Sequence, residues 1–340
     1  MITANIPRGT DGRKRILISK HPNKSMNDVT PAGRYPCDMH CHTTRSDGAD
    51  TPEELIAEAV LVGMVGVAIT DHDVPPPLEI EGRDSVEYAA ERDVRLILGY
   101  EFSCDKSVDD VHICGYRLDW SHPELLAEVD AAARSKSDAY RELCGRLSDF
   151  GMPVDWENDI LHGVDPAGRL VKRTPEEVQR KHIFEAMERL GHAASWSDAK
   201  LLVRDNPDLN VKRRKIEATD AVRLIHACGG IAVLAHPYLI DERIDVPDRP
   251  ATRDEYINVL IDAGLDGIES RYTYDKTTYK GEQTPEEIEA EVVSKYARRV
   301  RFLSGGSDYH ADQKKAAGKV RYLGERGLTL GEFELAFENG

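Results

Sequence analysis

The sequence predicts an α/β fold of seven βα units with a mainly helical insertion between the fourth and fifth strands. Three observations lead there. Short runs rich in Val and Ile alternate with longer stretches of helical periodicity, the pattern of βα units. Thr-Pro-Glu-Glu recurs at Thr51, Thr174 and Thr284. Each copy reads as a helix start, with a capping hydroxyl, a proline at the first helical position and a glutamate able to bond back to the cap. Between residues 121 and 220 the alternation stops, leaving helical pieces and few strand signals.

In chain order, residues 1–35 are polar and irregular, with Pro7, Gly9, Gly12, Pro22, Pro31 and Gly33, and are expected to form an N-terminal arm. The strands are expected at Asp38–His42, Val65–Thr70, Val94–Gly99, Val111–Tyr116, Ile231–Ala235, Leu265–Ser270 and Val300–Ser304. After Thr51 the apolar residues Leu55, Ile56, Ala59 and Val60 share one helix face, and Gly63 is placed to end it. Within the insertion, helices are expected over Pro123–Phe150 and Thr174–Leu190, followed by the basic cluster Lys212, Arg213, Arg214 and Lys215. The division is thus an arm (1–35), a main domain from 36–120 and 221–340, and an inserted subdomain (121–220) expected to cap the active site.

The 340 residues carry 45 Lys+Arg against 61 Asp+Glu, a net charge of −16. That balance disfavours capture of long nucleic acid, which depends on cationic side chains displacing counterions. It leaves room for a small phosphorylated substrate held by a few local cations, with a nucleotide among the candidates. No apolar run reaches the ~20 residues of a membrane span, and the N-terminus lacks the basic-then-apolar pattern of a secretion signal. The six cysteines, at 37, 41, 104, 114, 144 and 228, include no Cys-x-x-Cys pair. A reduced, cytoplasmic setting is expected, and oligomeric state is left open.

The chemistry gathers where strands end. His40 and His42 close the first strand, with Asp47 in the turn that follows; the second runs into Thr70-Asp-His-Asp73 and the third into Gly99-Tyr-Glu101. His112 opens the fourth, the fifth ends at Ala235-His236-Pro237, the sixth carries Glu269, and the seventh runs into Gly305-Gly-Ser-Asp308-Tyr-His310. The C-terminal ends of strands are where α/β barrels build active sites. Residues i and i+2 of an extended segment share a face, so His40 and His42 can both point inward, as can Asp308 and His310 if the strand continues. Taken singly, each group has an ordinary explanation as a turn or surface residue. Their recurrence points to a metal site, since imidazole with carboxylate suits Zn, Mn or Fe and a bridging carboxylate suits several ions.

Asp38-Met-His-Cys-His-Thr-Thr-Arg-Ser-Asp-Gly48, Ile69-Thr-Asp-His-Asp73, Gly99-Tyr-Glu101 with His112, Leu234-Ala-His-Pro237 and Gly305-Gly-Ser-Asp-Tyr-His310 resemble the motifs of the polymerase-and-histidinol-phosphatase (PHP) family, in particular its TrpH/YciV-like metal-dependent phosphoesterases. The resemblance implies a distorted seven-stranded (β/α)7 barrel with a trinuclear centre, in line with the seven strands counted above. One metal would take His40, His42, Glu101 and Asp308. A second would share Glu101 and add His112 and His236, and a third would take Asp47, His72 and His310. Arg180-Lys-His182 resembles the family's Arg-x-His segment, which suggests Arg180, Lys181 and His182 as substrate contacts. Two departures touch the pocket rim: Pro75-Pro-Pro77, where the family often has a glycine nearby, and Ala311, where glycine is common.

The implied activity is hydrolysis of small phosphate mono- or diesters (a nucleotide phosphate, a short oligonucleotide end or a small cyclic phosphodiester) by metal-hydroxide attack on phosphorus, using two or three Mn, Zn or Fe ions. The alternatives are a histidinol-phosphate phosphatase, a metal hydrolase of amide or amine bonds, and a non-catalytic metal-binding regulatory module.

Overall fold

In the computed structural model of the chain, the described residues are 34–105, 108, 110–164, 168–245, 250, 252–311 and 318–338. They belong to the compact unit Pro31–Gly340. The arm expected at 1–35 lies outside them, save for Arg34 and Tyr35.

The chain order is β1 (Cys37–Cys41), α1 (Pro52–Val62), β2 (Gly66–Ile69), the small hairpin β3 (Glu79–Ile80) and β4 (Arg83–Asp84), α2 (Ser85–Ala90), β5 (Arg95–Ser103) and β6 (His112–Tyr116). Then come α3 (Pro123–Asp149), α4 (Arg180–Arg189), α5 (Trp196–Asp205), α6 (Ala218–Ala227), β7 (Ile231–Leu234), α7 (Arg253–Asp262), β8 (Gly267–Arg271), α8 (Pro285–Tyr296), β9 (Phe302–Gly305) and α9 (Leu330–Phe337). Seven strands form one sheet in the order β1-β2-β5-β6-β7-β8-β9. The sheet nearly closes, because residues after β9 pair with β1: His42 N–H donates to the Tyr309 carbonyl (2.8 Å) and Tyr309 N–H to that of His40 (3.1 Å). Strands β1, β2 and β7 are buried along their whole length, as expected of strands covered on both faces.

Six strands run parallel and one does not: β6 is antiparallel to both β5 and β7. The link from Ser103 to His112 explains this, since eight residues are too few for a parallel crossover. Strand β5 runs on to Ser103, beyond the expected Gly99, because its last residues pair with β6.

Two of the three Thr-Pro-Glu-Glu segments start helices as expected. Glu54 N–H donates to Thr51 Oγ1 (3.2 Å) and Glu287 N–H to Thr284 Oγ1 (3.2 Å), with each glutamate returning the bond. The third makes only a 3-10 turn, Pro175–Glu177. Val178 and Gln179 are extended, with Val178 fully buried, so α4 begins at Arg180 and not at Thr174. The segment between β6 and β7 has an apolar core of its own, including Leu143, Leu147, Ile160, Val178, Ile183, Met187, Val203 and Leu209. Helix α6 instead packs Ala218, Ala221, Val222 and Ile225 into the core around β5 to β8. All six cysteines are buried free thiols. Among the described residues no helix is long and apolar enough to cross a membrane.

Candidate metal centre

Reversal of β6 explains why a residue that opens its strand joins residues that follow theirs. His112 begins β6, and an antiparallel strand begins at the end of the sheet where its neighbours finish. His42, Asp47, His72, His236, Asp308 and His310 all lie in the segments just past parallel strands, while His40 and Glu101 lie within β1 and β5. Gly306 lets the chain after β9 pass against β1: a Cβ there would lie 2.3 Å from that of His40. The expected extended face carrying both Asp308 and His310 does not form. Strand β9 ends at Gly305 and Asp308 has φ 53°, yet the turn still delivers both side chains to the site.

Glu101, fully buried, is the hub. Its Oε2 lies 3.2 Å from His40 Nε2, 3.2 Å from His42 Nε2 and 2.8 Å from His72 Nδ1. Its Oε1 lies 2.9 Å from His112 Nδ1 and 3.1 Å from His236 Nε2. Asp308 Oδ1 is 3.0 Å from His42 Nε2 and 3.4 Å from His310 Nδ1, and Asp47 Oδ1 is 3.2 Å from His310 Nε2. Three overlapping sets can each converge on a point: His42, Asp47, His72 and His310; His40, His42 and Asp308; and His72, Glu101 and His112. His42 belongs to two of them, and Cys114 forms a further set with His40 and Glu101 that the sequence did not suggest.

The donor set fits divalent metal. His40 Nε2, His42 Nε2 and His72 Nδ1 are buried 2.8–3.2 Å from Glu101 Oε2 yet form no well-aligned hydrogen bond with it, a costly state that a cation would relieve. Burial alone would raise the carboxyls. The imidazoles of His72, His40 and His112 nonetheless hold Glu101 well below the usual carboxylate range, and Arg321, His310 and His40 do the same for Asp308. Both remain anionic.

Outer contacts fix the donors. Glu269 Oε1 lies 3.3 Å from His40 Nδ1, while its Oε2 accepts the His236 N–H (2.7 Å) at a residue with φ 29°. Asp71 accepts from Thr43 N–H (2.8 Å) and Ser46 Oγ (2.5 Å), and Ser46 Oγ sits 3.3 Å from His42 Nδ1. Asp308 Oδ2 accepts from the Tyr272 hydroxyl (2.6 Å) and from the Arg321 guanidinium. Neither Tyr272 nor Arg321 was singled out from sequence, because nothing local marks them: Arg321 lies in an irregular segment 13 residues past its partner.

The three expected substrate contacts form the first turn of α4. Lys181 Nζ donates to the Gly48 carbonyl (2.8 Å), next to Asp47, and Arg180 Nε is buried without a partner. His182 is differently employed. Its Nδ1 accepts the Gln179 N–H (3.0 Å), capping the helix, and burial with the charges of Arg173, Lys181 and Lys136 holds the imidazole well below its usual range. Opposite, Arg213 donates to Asp73 Oδ2 (2.5 Å) and Ser103 Oγ (2.9 Å).

An α/β barrel with imidazoles and carboxylates crowded at one mouth defines a metal-binding hydrolase-type scaffold. The chain belongs to the PHP domain family, whose model matches residues 38–203. It is similar to the 5′-3′ exoribonuclease of Haemophilus influenzae, 31% identical over 202 residues, which are 59% of this chain and 68% of that protein. It is also similar to the phosphoribosyl 1,2-cyclic phosphate 1,2-diphosphodiesterase of Eggerthella lenta, 28% identical over 295 residues, 85% of this chain and 98% of that one. Among solved structures, a protein of Bifidobacterium adolescentis proposed to be a metal-dependent phosphoesterase matches with TM-score 0.67 and 26% identity, over 90% of this chain and 96% of that chain.

Proposed function

We propose that this chain is a metal-dependent phosphoesterase that hydrolyses small phosphate mono- or diesters: a nucleotide phosphate, a short oligonucleotide end or a small cyclic phosphodiester. The reading rests above all on Glu101, a fully buried carboxylate facing five imidazoles at 2.8–3.2 Å. Two or three Mn, Zn or Fe ions would be held by His40, His42, Asp47, His72, Glu101, His112, His236, Asp308 and His310. Such ions supply Lewis acidity and an acidified water at neutral pH. The chain's own cations would do the rest: Lys181, whose Nζ lies 2.8 Å from the Gly48 carbonyl beside Asp47, and Arg180, next to it in the first turn of α4, would supply countercharge to the non-bridging oxygens of a bound phosphate as negative charge builds. The exoribonuclease and the cyclic-phosphate diphosphodiesterase both break phosphoester bonds, which supports the same bond class here.

The barrel comprises 36–120 and 221–340 in this reading, and the helical insertion 121–220 covers its mouth, so a small ester or a chain end is accepted and a long duplex is not. Six buried thiols and the absence of a membrane-crossing helix among the described residues suit a cytoplasmic enzyme.

The test is phosphate release by metal-reconstituted protein from a nucleoside bisphosphate, a short 5′-phosphorylated RNA, a five-membered cyclic phosphodiester and histidinol phosphate, with Asp308→Ala alongside. Turnover of one or more nucleotide-type esters that disappears in Asp308→Ala supports the reading. Silence on all four with metal bound overturns it, and turnover of histidinol phosphate alone replaces it with that phosphatase.

A further inference from the structure

Among the described residues, Cys114 is the one cysteine that joins a cluster able to converge on a cation. Its sulfur and one donor atom each of His40 and Glu101 all lie within 4.8 Å of one another. The sheet puts it there. Cys114 stands directly opposite Glu101 in the pairing of β5 with β6, and opposed residues of an antiparallel pair share a face. His112 lies two residues earlier on β6 and shares that face as well. Because β6 runs inward from the mouth, Cys114 lies about 7 Å further along the strand, at ~3.4 Å per residue. Cys41 behaves differently. It stands between His40 and His42 in sequence, yet it belongs to the core that holds Leu55, Ile56 and Ala59, since neighbours along a strand point to opposite faces. Nearness in sequence does not bring a thiol to the donors; the register of β6 does.

The setting is one that a cation would complete. His40, Glu101 and Cys114 are each at most 1% exposed. His40 Nε2 and Glu101 Oε2, 3.2 Å apart, form no well-aligned hydrogen bond. Cys114 also belongs to the apolar cluster of Met39, Ala68, Tyr116 and Val233, where a small aliphatic side chain would serve the packing alone. Sulfur beside imidazole and carboxylate suits Zn2+ or Cd2+ better than Mn2+, which prefers oxygen. Donors that share one zinc ion stand roughly 3.5 Å apart, a separation that the 4.8 Å bound allows. His40 also belongs to the set with His42 and Asp308, and a neutral imidazole has one lone pair to give. An ion held by Cys114 therefore takes His40 away from an ion held by His42 and Asp308.

We propose that Cys114, His40 and Glu101 form a separate soft-metal position at the inner edge of the donor cluster, which takes a cation of the zinc–cadmium class in exchange for the ion shared by His40, His42 and Asp308. The Cys114 proton passes to water as the sulfur–metal bond forms. The position rests on the proposed metal centre and is independent of which ester is hydrolysed.

The experiment titrates cadmium into the manganese-loaded full chain, comparing wild type with Cys114→Ser and Cys114→Ala. Wild type should develop a sulfur-to-cadmium charge-transfer band in the ultraviolet, and metal analysis should find a manganese lost for each cadmium that the band reports. In both variants the band should vanish. Their preference for cadmium over manganese should fall about tenfold or more, the lower end of what losing even a supporting residue costs a metal site. Serine keeps the size of cysteine and alanine its apolar character, so if one variant fails to fold the other decides. A band of equal strength in the variants, or an equal loss of affinity for both ions, makes Cys114 a packing residue and overturns the proposal. Cadmium bound through sulfur with all manganese retained overturns the exchange at His40. If wild type binds no manganese, the proposed metal centre is what fails. Cadmium titrated into the metal-free chain then decides on Cys114 alone, a band that Cys114→Ser abolishes supporting the assignment and no band overturning it.

Discussion

The barrel mouth and the insertion seam hold their polar groups in place by different means. At the mouth the donors come from positions spread between residues 40 and 310, yet backbone pairing sets each one: the Asp73 N–H donates to the Glu101 carbonyl (3.1 Å), and the Tyr309 rungs hold His40 and His42. At the seam the cations come from one continuous stretch with its own core, tied to the barrel chiefly by side chains. Lys181 reaches Gly48, Gln179 reaches the Arg45 carbonyl (3.4 Å) and Arg213 reaches Asp73. Ladder hydrogen bonds leave little freedom, whereas long side chains re-aim at small cost. The mouth is thus suited to fixed donor geometry, and the seam to adjustment.

Substitutions can break or sharpen that contrast. The largest effect is expected at Glu101→Gln. Phosphate release and bound metal should both fall more than about a hundredfold, beyond the 10–100-fold typical of residues that only support a ligand, as read by metal analysis and turnover. On the other side, Leu147→Ala opens the insertion's core at a fully buried position and should cost about 2–5 kcal/mol in denaturant unfolding while metal content stays near wild type. Loss of metal there would mean the two regions are not separable.

Arg321→Met should lower metal affinity or turnover about 10–100-fold, because Asp308 loses its guanidinium partner. A smaller signal lies in pH. In the fold the Lys136 amine sits at about 8, below its ordinary 10.5, so between those values the unfolded chain binds its proton more tightly and the contribution of this position to stability rises with pH. The melting-temperature gap between Lys136→Met and wild type, widest near pH 7, should narrow from about pH 8 to 10.5. Last, Ala311 has φ 52°, a left-handed conformation that glycine adopts without strain. Ala311→Gly should stabilise by about 1 kcal/mol or less, and a destabilisation would show that its buried methyl matters more than its backbone.

Much of the mouth was legible in the sequence because sheets impose simple rules. Strand ends and i, i+2 spacing brought out His40, His42, Glu101, His236 and the Asp308–His310 pair before any coordinates. The direction of β6 was legible too in principle, since an eight-residue link forbids a parallel crossover, but its Val-His-Ile-Cys pattern reads alike in either direction. The 3-10 turn at Thr174 shows a local signal losing to packing: the cap forms, and burial of Val178 then bends the chain away. Tyr272, Arg321 and Lys136 could not be read at all. Each is ordinary in its own segment and acquires meaning only from what lies across the fold.

The rung between β1 and Tyr309 has a consequence for how the protein is made. Synthesis runs from the N-terminus, at about 5–20 residues per second, and His40 to His112 emerge early while Asp308 and His310 come about 200 residues later. For roughly 10–40 s the nascent chain displays a partial set of imidazoles and carboxylates with no closing strand to shape it. Discrimination among cations is therefore a property to expect of the finished barrel, whose closing rung sets the donor geometry, and not of the growing chain.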